Sequence, residues 1–229
     1  AQGAEWTMGL AQRTALAGGA LWFYLGKLLW PHPLIFIYPR WSLDSLFSYL
    51  PAAAAATAGL LLWRKRKDWA MAAAALAYFA ANLFPVLGFF DVFFMRYSFT
   101  ADHFQYLASL GPIALACGAA ARAGKNWRAP IRSLAAAALL ALLGGLTWRQ
   151  AKIYKDEETL WADTLAKNPK AWVAHYNTGI ALAARGRLDE AIGHYREAAR
   201  LRPEDGDIRN NLALALMRRG ALDEAAAEF

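Results

Sequence analysis

Cysteine and charged residues are both scarce in this sequence. The single Cys117 excludes an intrachain disulfide, and its position inside an apolar run predicts a small core residue. Charged residues make up 19% of the 229 residues, against about a quarter in soluble domains, and 58% are hydrophobic. Most of the charges follow Arg149. The composition therefore predicts a membrane protein with a soluble tail.

Several kinds of functional motif are also missing. No Gly-rich phosphate loop, no convincing Ser/His/Asp or Cys/His arrangement and no metal-ligand set occurs, so we predict no cofactor and no metal site. The net charge of +7 does not indicate nucleic acid as a partner, because the basic residues of the first half cluster in short loops between apolar segments. No signal peptide is predicted either.

Apolar segments of about 17 to 25 residues, the length needed to cross a bilayer, dominate the first two thirds of the chain. The predicted membrane helices are 46–63, 69–90, 104–121 and 131–148. A further segment, 12–30, contains Arg13 and Lys27, and either crosses the membrane or lies along its outer interface as an amphipathic helix. We therefore predict an all-α fold in which residues 1–148 form a polytopic transmembrane helix bundle.

Loop charges predict the orientation of this bundle. The segment 64–68 holds four basic residues and one acid, and 122–132 holds four basic residues and no acid. The loops 32–45 and 91–103 each carry one basic residue. The positive-inside rule places the two basic loops in the cytoplasm. The segment 91–103 and everything after Arg149 then face outside, which in a bacterium is the periplasmic side of the inner membrane.

A sequence repeat begins after the last apolar segment. GRLDEA at 186–191 recurs as GALDEA at 220–225, and Pro169 and Pro203 have the same offset of 34 residues. That period, with small and aromatic residues in register, is the tetratricopeptide (TPR) signature. Residues 149–229 are predicted to form a TPR array. It comprises a half repeat at 154–169, a repeat at 172–205 and a partial repeat at 206–229.

The half repeat has only a second helix, so the last membrane helix is expected to supply its packing partner. Two and a half repeats fall below the usual stable minimum of three. The chain also has no initiator methionine. We therefore expect it to be a piece of a longer protein.

Asn177 and Asn211 occupy the same position of successive repeats. Side-chain amides both donate to and accept from a peptide backbone, so these residues are candidates for binding a polypeptide on the concave face of the array. They resemble the asparagine ladder in the repeats of the nucleocytoplasmic O-linked N-acetylglucosamine transferases. The alternative is that asparagine is simply common in this helix of the repeat.

Polar residues are concentrated in the stretch FMRYSFTADHFQYLASLG at 94–111. Ionisable residues at a membrane edge are costly and are functional candidates. In an external loop, however, the same residues can simply be solvated, and spacing alone does not separate these alternatives.

Several short motifs, in order, resemble one protein family. They are YLGKLLWP at 24–31, YP at 38–39, NLFPVLGF at 82–89, ADHFQYLASLG at 101–111 and TWRQAKIYKDEETLW at 147–161. Together they resemble the transmembrane and tetratricopeptide repeat-containing O-mannosyltransferases and their bacterial relatives, which have the GT-C glycosyltransferase fold. The family pattern is closer to Ala-Asp-Arg-Tyr-x-Tyr-Leu-Pro, where this chain has His103, Phe104 and Ala108 in place of Arg, the first Tyr and Pro.

The resemblance implies a transferase that takes a sugar from a polyprenyl-phosphate donor and glycosylates polypeptide outside the cytoplasm. Arg96 and protonated His103 would contact the lipid phosphate, and Tyr106 would donate a hydrogen bond at the interface; Asp102 belongs to the same candidate loop. The family places its catalytic acids in a first external loop that has no counterpart here. No catalytic residue is therefore assigned.

A non-enzymatic alternative stays open, because every repeat feature requires only binding. A membrane anchor that displays repeats to recruit protein partners fits the residues equally well. A transporter is the third and weakest reading, since the apolar segments hold almost no charge and no pair of broken helices.

Overall fold

All regular secondary structure in the computed structural model, which describes residues 8–228, is helical, as predicted. The outermost residues of the predicted domains, 1–7 and 229, lie outside this range. The helices are α1 (Leu10–Leu29), α2 (Leu50–Arg64), α3 (Ala70–Leu83), α4 (Leu110–Ala123), α5 (Ala129–Ala151), α6 (Glu157–Lys167), α7 (Trp172–Ala184), α8 (Leu188–Leu201), α9 (Gly206–Arg219) and α10 (Leu222–Glu228).

The chain divides into two compact units, each of which is made of two separate ranges of the sequence. Unit 1 comprises Ala1–Leu34 and Arg40–Leu146, and unit 2 comprises Ile35–Pro39 and Thr147–Phe229. The second part of unit 2 begins at Thr147, beside the composition change near Arg149. The short segment 35–39, which lies between α1 and α2 in the sequence, was not expected to join the second unit.

Unit 1 is built around α1. Ala17, Ala20 and Tyr24 face one side of this helix and pack against Phe79 and Leu83 of α3. Gly18 lies where α1 meets α2, because a Cβ at that position would overlap the backbone of Ala52. The absence of a side chain at Gly18 therefore lets the two helices approach closely.

Two helical stretches are long and apolar enough to cross a membrane, judged by length and composition. They are Leu46–Arg64 and Ala129–Tyr154. Ala70–Val86 and Leu110–Ala123 are shorter apolar helices. The described residues thus contain two candidate spans, where the sequence predicted four and left a fifth open.

The predicted helix 104–121 begins as an α-helix only at Leu110. Residues Asp102–Gln105 form a 3-10 turn instead. Starting at Leu110 places Pro112 in the first turn of α4, where the missing N–H of proline has no helical partner to lose. The prediction that Cys117 is a core residue is wrong: it is exposed on α4, which buries none of its own residues.

Unit 2 consists of α6 followed by two helix pairs, α7–α8 and α9–α10. Its core contains Ile192 and Tyr195 from α8 and Leu212 and Leu216 from α9, each at most 2% exposed. Gly179 of α7 lies against the ring of Tyr195, and a Cβ there would approach ring carbons to 2.7 and 2.8 Å. The small and aromatic residues that identified the repeat therefore form the contact between α7 and α8.

The half repeat has a different packing partner from the one expected. Phe36, in the segment 35–39, makes edge-to-face contacts with Trp161 of α6 and with Tyr154, at ring-centroid distances of 5.5 and 6.3 Å. The side chain of Asn168, at the end of α6, donates a hydrogen bond to the Ile37 carbonyl at 3.0 Å. The segment 35–39, from early in the chain, thus contacts both the middle and the end of α6.

Candidate functional site

The polar loop, defined here as residues 91–109, contains the four residues predicted to face a lipid phosphate. Arg96 ends the 3-10 turn Phe93–Arg96, and its guanidinium lies 5.4 Å from the ring centre of Phe93 and 5.5 Å from that of Tyr97. The side chain is half-buried. Flanking aromatic faces restrict the positions that the guanidinium of Arg96 can take.

Asp102, His103 and Tyr106 lie on and just after the next 3-10 turn, Asp102–Gln105. His103 is exposed and packs against the rings of Phe94 and Phe104, at centroid distances of 5.7 and 4.5 Å. Tyr106 is 69% exposed.

Phe94 connects the two turns of the polar loop. Its ring contacts Tyr97, which flanks Arg96, and also contacts His103. The structure thus arranges the predicted cations around a shared aromatic cluster.

Two further cations reach the polar loop from distant positions in the chain. Lys27 of α1 lies close enough to Asp102 for their charges to interact. Arg40 donates a hydrogen bond to the Met95 carbonyl, and its guanidinium lies 5.1 Å from the ring centre of Phe99. Sequence reasoning missed both as site residues. The sequence feature that could have identified Lys27 as a site residue is its positive charge within an apolar segment.

Contacts near both ends of α1 hold the polar loop in position. Near the start of α1, Arg13 forms a 2.6 Å ion pair with Asp91 and donates to the Gly88 carbonyl at 2.8 Å. Further along, the buried hydroxyl of Tyr24 accepts a hydrogen bond from the Ala101 amide at 3.1 Å. Helix α1 therefore lies alongside the loop over most of its length.

Side chains that commonly bind metal ions do not cluster in the part of the chain that the structure describes. Among residues 8–228, no group of three or more His, Cys, Asp or Glu side chains is positioned to hold a metal ion. The chemistry that the polar loop offers is anion binding by its cations and hydrogen bonding by Asp102 and Tyr106.

The candidate peptide-binding asparagines share one geometry. The amide nitrogen of Asn177 donates to the Val173 carbonyl at 2.8 Å, and that of Asn211 donates to the Asp207 carbonyl at 3.0 Å. Asn211 also donates to the hydroxyl of Tyr176 at 2.8 Å, which ties α7 to α9. In both residues the amide nitrogen already donates within the protein, so acceptance by the side-chain oxygen is the interaction left to propose for a ligand.

An exposed apolar residue follows each asparagine by three positions. Ile180 is 40% exposed and Leu214 is 45% exposed, and the two are also 34 residues apart. Residues three apart on a helix share a face. The asparagine and the apolar residue therefore form a two-part motif that repeats along the array and that the sequence analysis did not identify.

A histidine pair joins the two helices of the first full repeat. The Nδ1 atoms of His175 and His194 are 3.0 Å apart, and His175 Nε2 lies 3.0 Å from the Pro169 carbonyl. These contacts link α7, α8 and the Pro169 carbonyl. Burial, then the neighbouring His175, lowers the pKa of His194 below its ordinary value.

Comparison with known proteins matches residues 179–220 to a family model described as TPR repeat. Protein O-mannosyl-transferase TMTC1 of Mus musculus is 30% identical over 139 residues, which are 57% of this chain and 14% of that protein. TMTC1 of Homo sapiens is 36% identical over 74 residues, 32% of this chain and 8% of that protein. A TPR repeat-containing protein of Pseudomonas aeruginosa is 40% identical over 65 residues, 28% of this chain and 26% of that protein.

These matches cover limited parts of the proteins concerned. The chain spans between 8% and 26% of the length of these curated relatives. The family-model match confirms the predicted repeat. This is therefore a helical protein that carries a TPR repeat and is similar, over part of its length, to proteins named protein O-mannosyl-transferase TMTC1.

Proposed function

We propose that this chain is the C-terminal part of a membrane glycosyltransferase that uses a polyprenyl-phosphate-linked sugar. The single observation that carries the proposal is the polar loop, where Arg96 and His103 share an aromatic cluster and where Lys27 lies near Asp102. Similarity to proteins named as O-mannosyl-transferases supports it. In this proposal the cations bind the donor phosphate, and the catalytic acids lie outside this chain.

The membrane arrangement is part of the same proposal. The apolar helices of unit 1, together with α5, form a polytopic bundle in the inner membrane of a bacterium, with the basic turns in the cytoplasm. The polar loop and the TPR array are exposed on the periplasmic side. Helix α1 belongs to the same bundle and makes polar contacts to the polar loop near both of its ends.

The TPR array would bind the acceptor polypeptide on its concave face. The side-chain oxygens of Asn177 and Asn211 would accept from backbone N–H groups, which all sequences share. Ile180 and Leu214 would contact apolar side chains of the same segment. This combination favours extended polypeptide with alternating apolar residues over a folded surface.

Sugar transfer by the full-length protein tests the proposed role of the polar loop. With polyprenyl-phosphate-linked mannose as donor and a polypeptide acceptor, Arg96→Ala and Asp102→Ala are expected to lower the initial rate at least tenfold. The physical reason is that each removes a charge that positions the donor phosphate or its partner cation. Arg128→Ala removes an exposed cation from a basic loop and should leave the rate unchanged. Unchanged rates in both polar-loop variants would contradict the proposal.

A non-enzymatic scaffold is the alternative, and the repeated Asn–apolar motif of α7 and α9 favours it equally. A scaffold would give no transfer in any variant. It would still bind polypeptide, and Asn177→Ala with Asn211→Ala would weaken that binding.

A further inference from the structure

A groove of about 480 Å³ runs between α2 and α3 in unit 1. One end is formed by Leu21, Trp22 and Leu25 of α1, and the other end by Trp63 and Arg66, beside the turn that joins α2 to α3. Helix α2 buries none of its residues, so its face toward α3 remains open. The groove is separate from the polar loop.

The walls of the groove suit a thin, flexible hydrocarbon chain. Small residues line both sides, including Ala55, Ala58 and Gly59 on α2 and Ala73 and Ala77 on α3. The remaining lining residues of these two helices are apolar as well, and include Leu62 on α2 and Leu76 and Phe79 on α3. At 1.5 Å per residue, the path along α2 from Ala55 to Arg66 is about 16 Å long. That is about half the hydrocarbon thickness of a bilayer, the depth of one leaflet.

One end of the groove is strongly basic. Arg66 is the charged residue of the lining, and its guanidinium lies over the Trp63 ring at 4.4 Å and donates to the Trp63 carbonyl at 2.8 Å. The exposed residues Arg64, Lys65, Lys67 and Asp68 are its neighbours in the sequence, so the segment 64–68 carries four cations and one acid. An apolar slot that ends at this net positive charge has the charge and polarity pattern of a lipid with a negatively charged head group.

We propose that this groove binds an anionic phospholipid of the cytoplasmic leaflet, with one acyl chain between α2 and α3 and the phosphate on Arg66. The proposal rests on the membrane arrangement proposed above. Within a bilayer the surrounding lipid tails are as apolar as the groove, so the acyl chain contributes little net affinity. Selectivity then comes from the head group, because arginine binds phosphate oxygens in bidentate fashion and nearby cations add to the attraction.

Native mass spectrometry of the full-length protein tests this site. The protein would be extracted from vesicles containing equal parts of phosphatidylglycerol and phosphatidylcholine. We expect one retained phosphatidylglycerol per chain in the parent protein and about tenfold lower retention in Arg66→Ala. Arg128→Ala, which removes a cation from the other basic loop, should retain the lipid as the parent does.

A second pair of variants tests the contribution of the groove without changing any charge. Ala58→Phe fills the groove and should lower retention, because a lipid can then contact Arg66 only without an acyl chain between α2 and α3, whereas Ala53→Phe adds the same bulk to an exposed position on the opposite side of α2 and should not. Equal retention in all variants, or equal loss in Arg66→Ala and Arg128→Ala, would overturn the proposal. So would an Ala58→Cys variant that cross-links to another polypeptide, since a protein segment would then occupy the groove.

Failure of the membrane proposal and failure of the groove proposal can be told apart. Membrane insertion is checked first, by whether the protein stays with membranes washed in alkaline carbonate. Release of the protein would contradict the membrane proposal, whereas an inserted protein that retains no phosphatidylglycerol would contradict the groove alone.

Discussion

Gly179→Leu is expected to destabilise unit 2 by about 3 kcal/mol, the upper part of the range for overpacked cores. A Cβ at position 179 would lie 2.7 Å from a ring carbon of Tyr195, well inside van der Waals contact. Tyr195 is only 2% exposed and is surrounded by Ile192 and Leu212, so its ring has no free space into which to move. Helices α7 and α8 would therefore be forced apart.

Pulse proteolysis across a urea gradient measures this effect on the full chain. Because the slope of unfolding free energy is about 1 to 3 kcal/mol per molar urea, the midpoint for cleavage of the repeats should fall by about 1 to 3 M. Gly193→Ala is the matched control, since a Cβ there meets nothing within 4 Å and removing a helical glycine is favourable. Equal midpoints for Gly179→Leu and the parent would show that the α7–α8 contact is not tight.

Gly18→Leu is expected to separate α1 from α2 and to lower the thermal stability of unit 1. The added Cβ would overlap backbone atoms of Ala52 and lie 2.7 Å from its Cβ, and backbone cannot rotate away as a side chain can. A cost of about 3 kcal/mol corresponds to a fall of about 6 to 12 °C in the melting temperature for a domain of this size. Loss of this contact would also displace the polar loop, which Arg13 and Tyr24 hold from the same helix.

Heating the detergent-solubilised full-length protein and measuring the monodisperse fraction by size-exclusion chromatography gives the midpoint. Gly26→Leu serves as the control, because it adds the same side chain to the same helix at a position with nothing within 4 Å. A similar fall in both variants would mean that bulk anywhere on α1 is harmful. The close approach at Gly18 would then have no special role.

Local sequence predicted the repeat helices because their packing is encoded at short range. Gly179 and Tyr195 are 16 residues apart, in helices joined by a short turn. The contact that Gly179 makes with Tyr195 is therefore fixed by the period of the repeat, which is visible in the sequence. The start of α4 at Leu110 also has a local cause, Pro112, although the apolar run alone suggested an earlier start.

Contacts between distant segments could not be predicted in this way. Lys27 and Asp102 are 75 positions apart, and Arg40 and Met95 are 55 apart, with no pattern that pairs them. The contact of Phe36 with Trp161 of α6 is a similar case. The segment 35–39 is too short to show a repeating pattern, so its sequence does not indicate which helix it packs against. The sequence therefore predicted the candidate residues of the polar loop itself but not its contacts with Lys27 and Arg40.

The central claim is that the polar loop and the TPR array face the periplasm while the turn containing Arg66 faces the cytoplasm. Single cysteines placed by Leu107→Cys, Glu204→Cys and Lys67→Cys in a Cys117→Ala background test it directly. With a membrane-impermeant maleimide on intact spheroplasts, the first two should be labelled at once and Lys67→Cys only after lysis. Immediate labelling of Lys67→Cys with protection of Glu204→Cys until lysis would contradict the account.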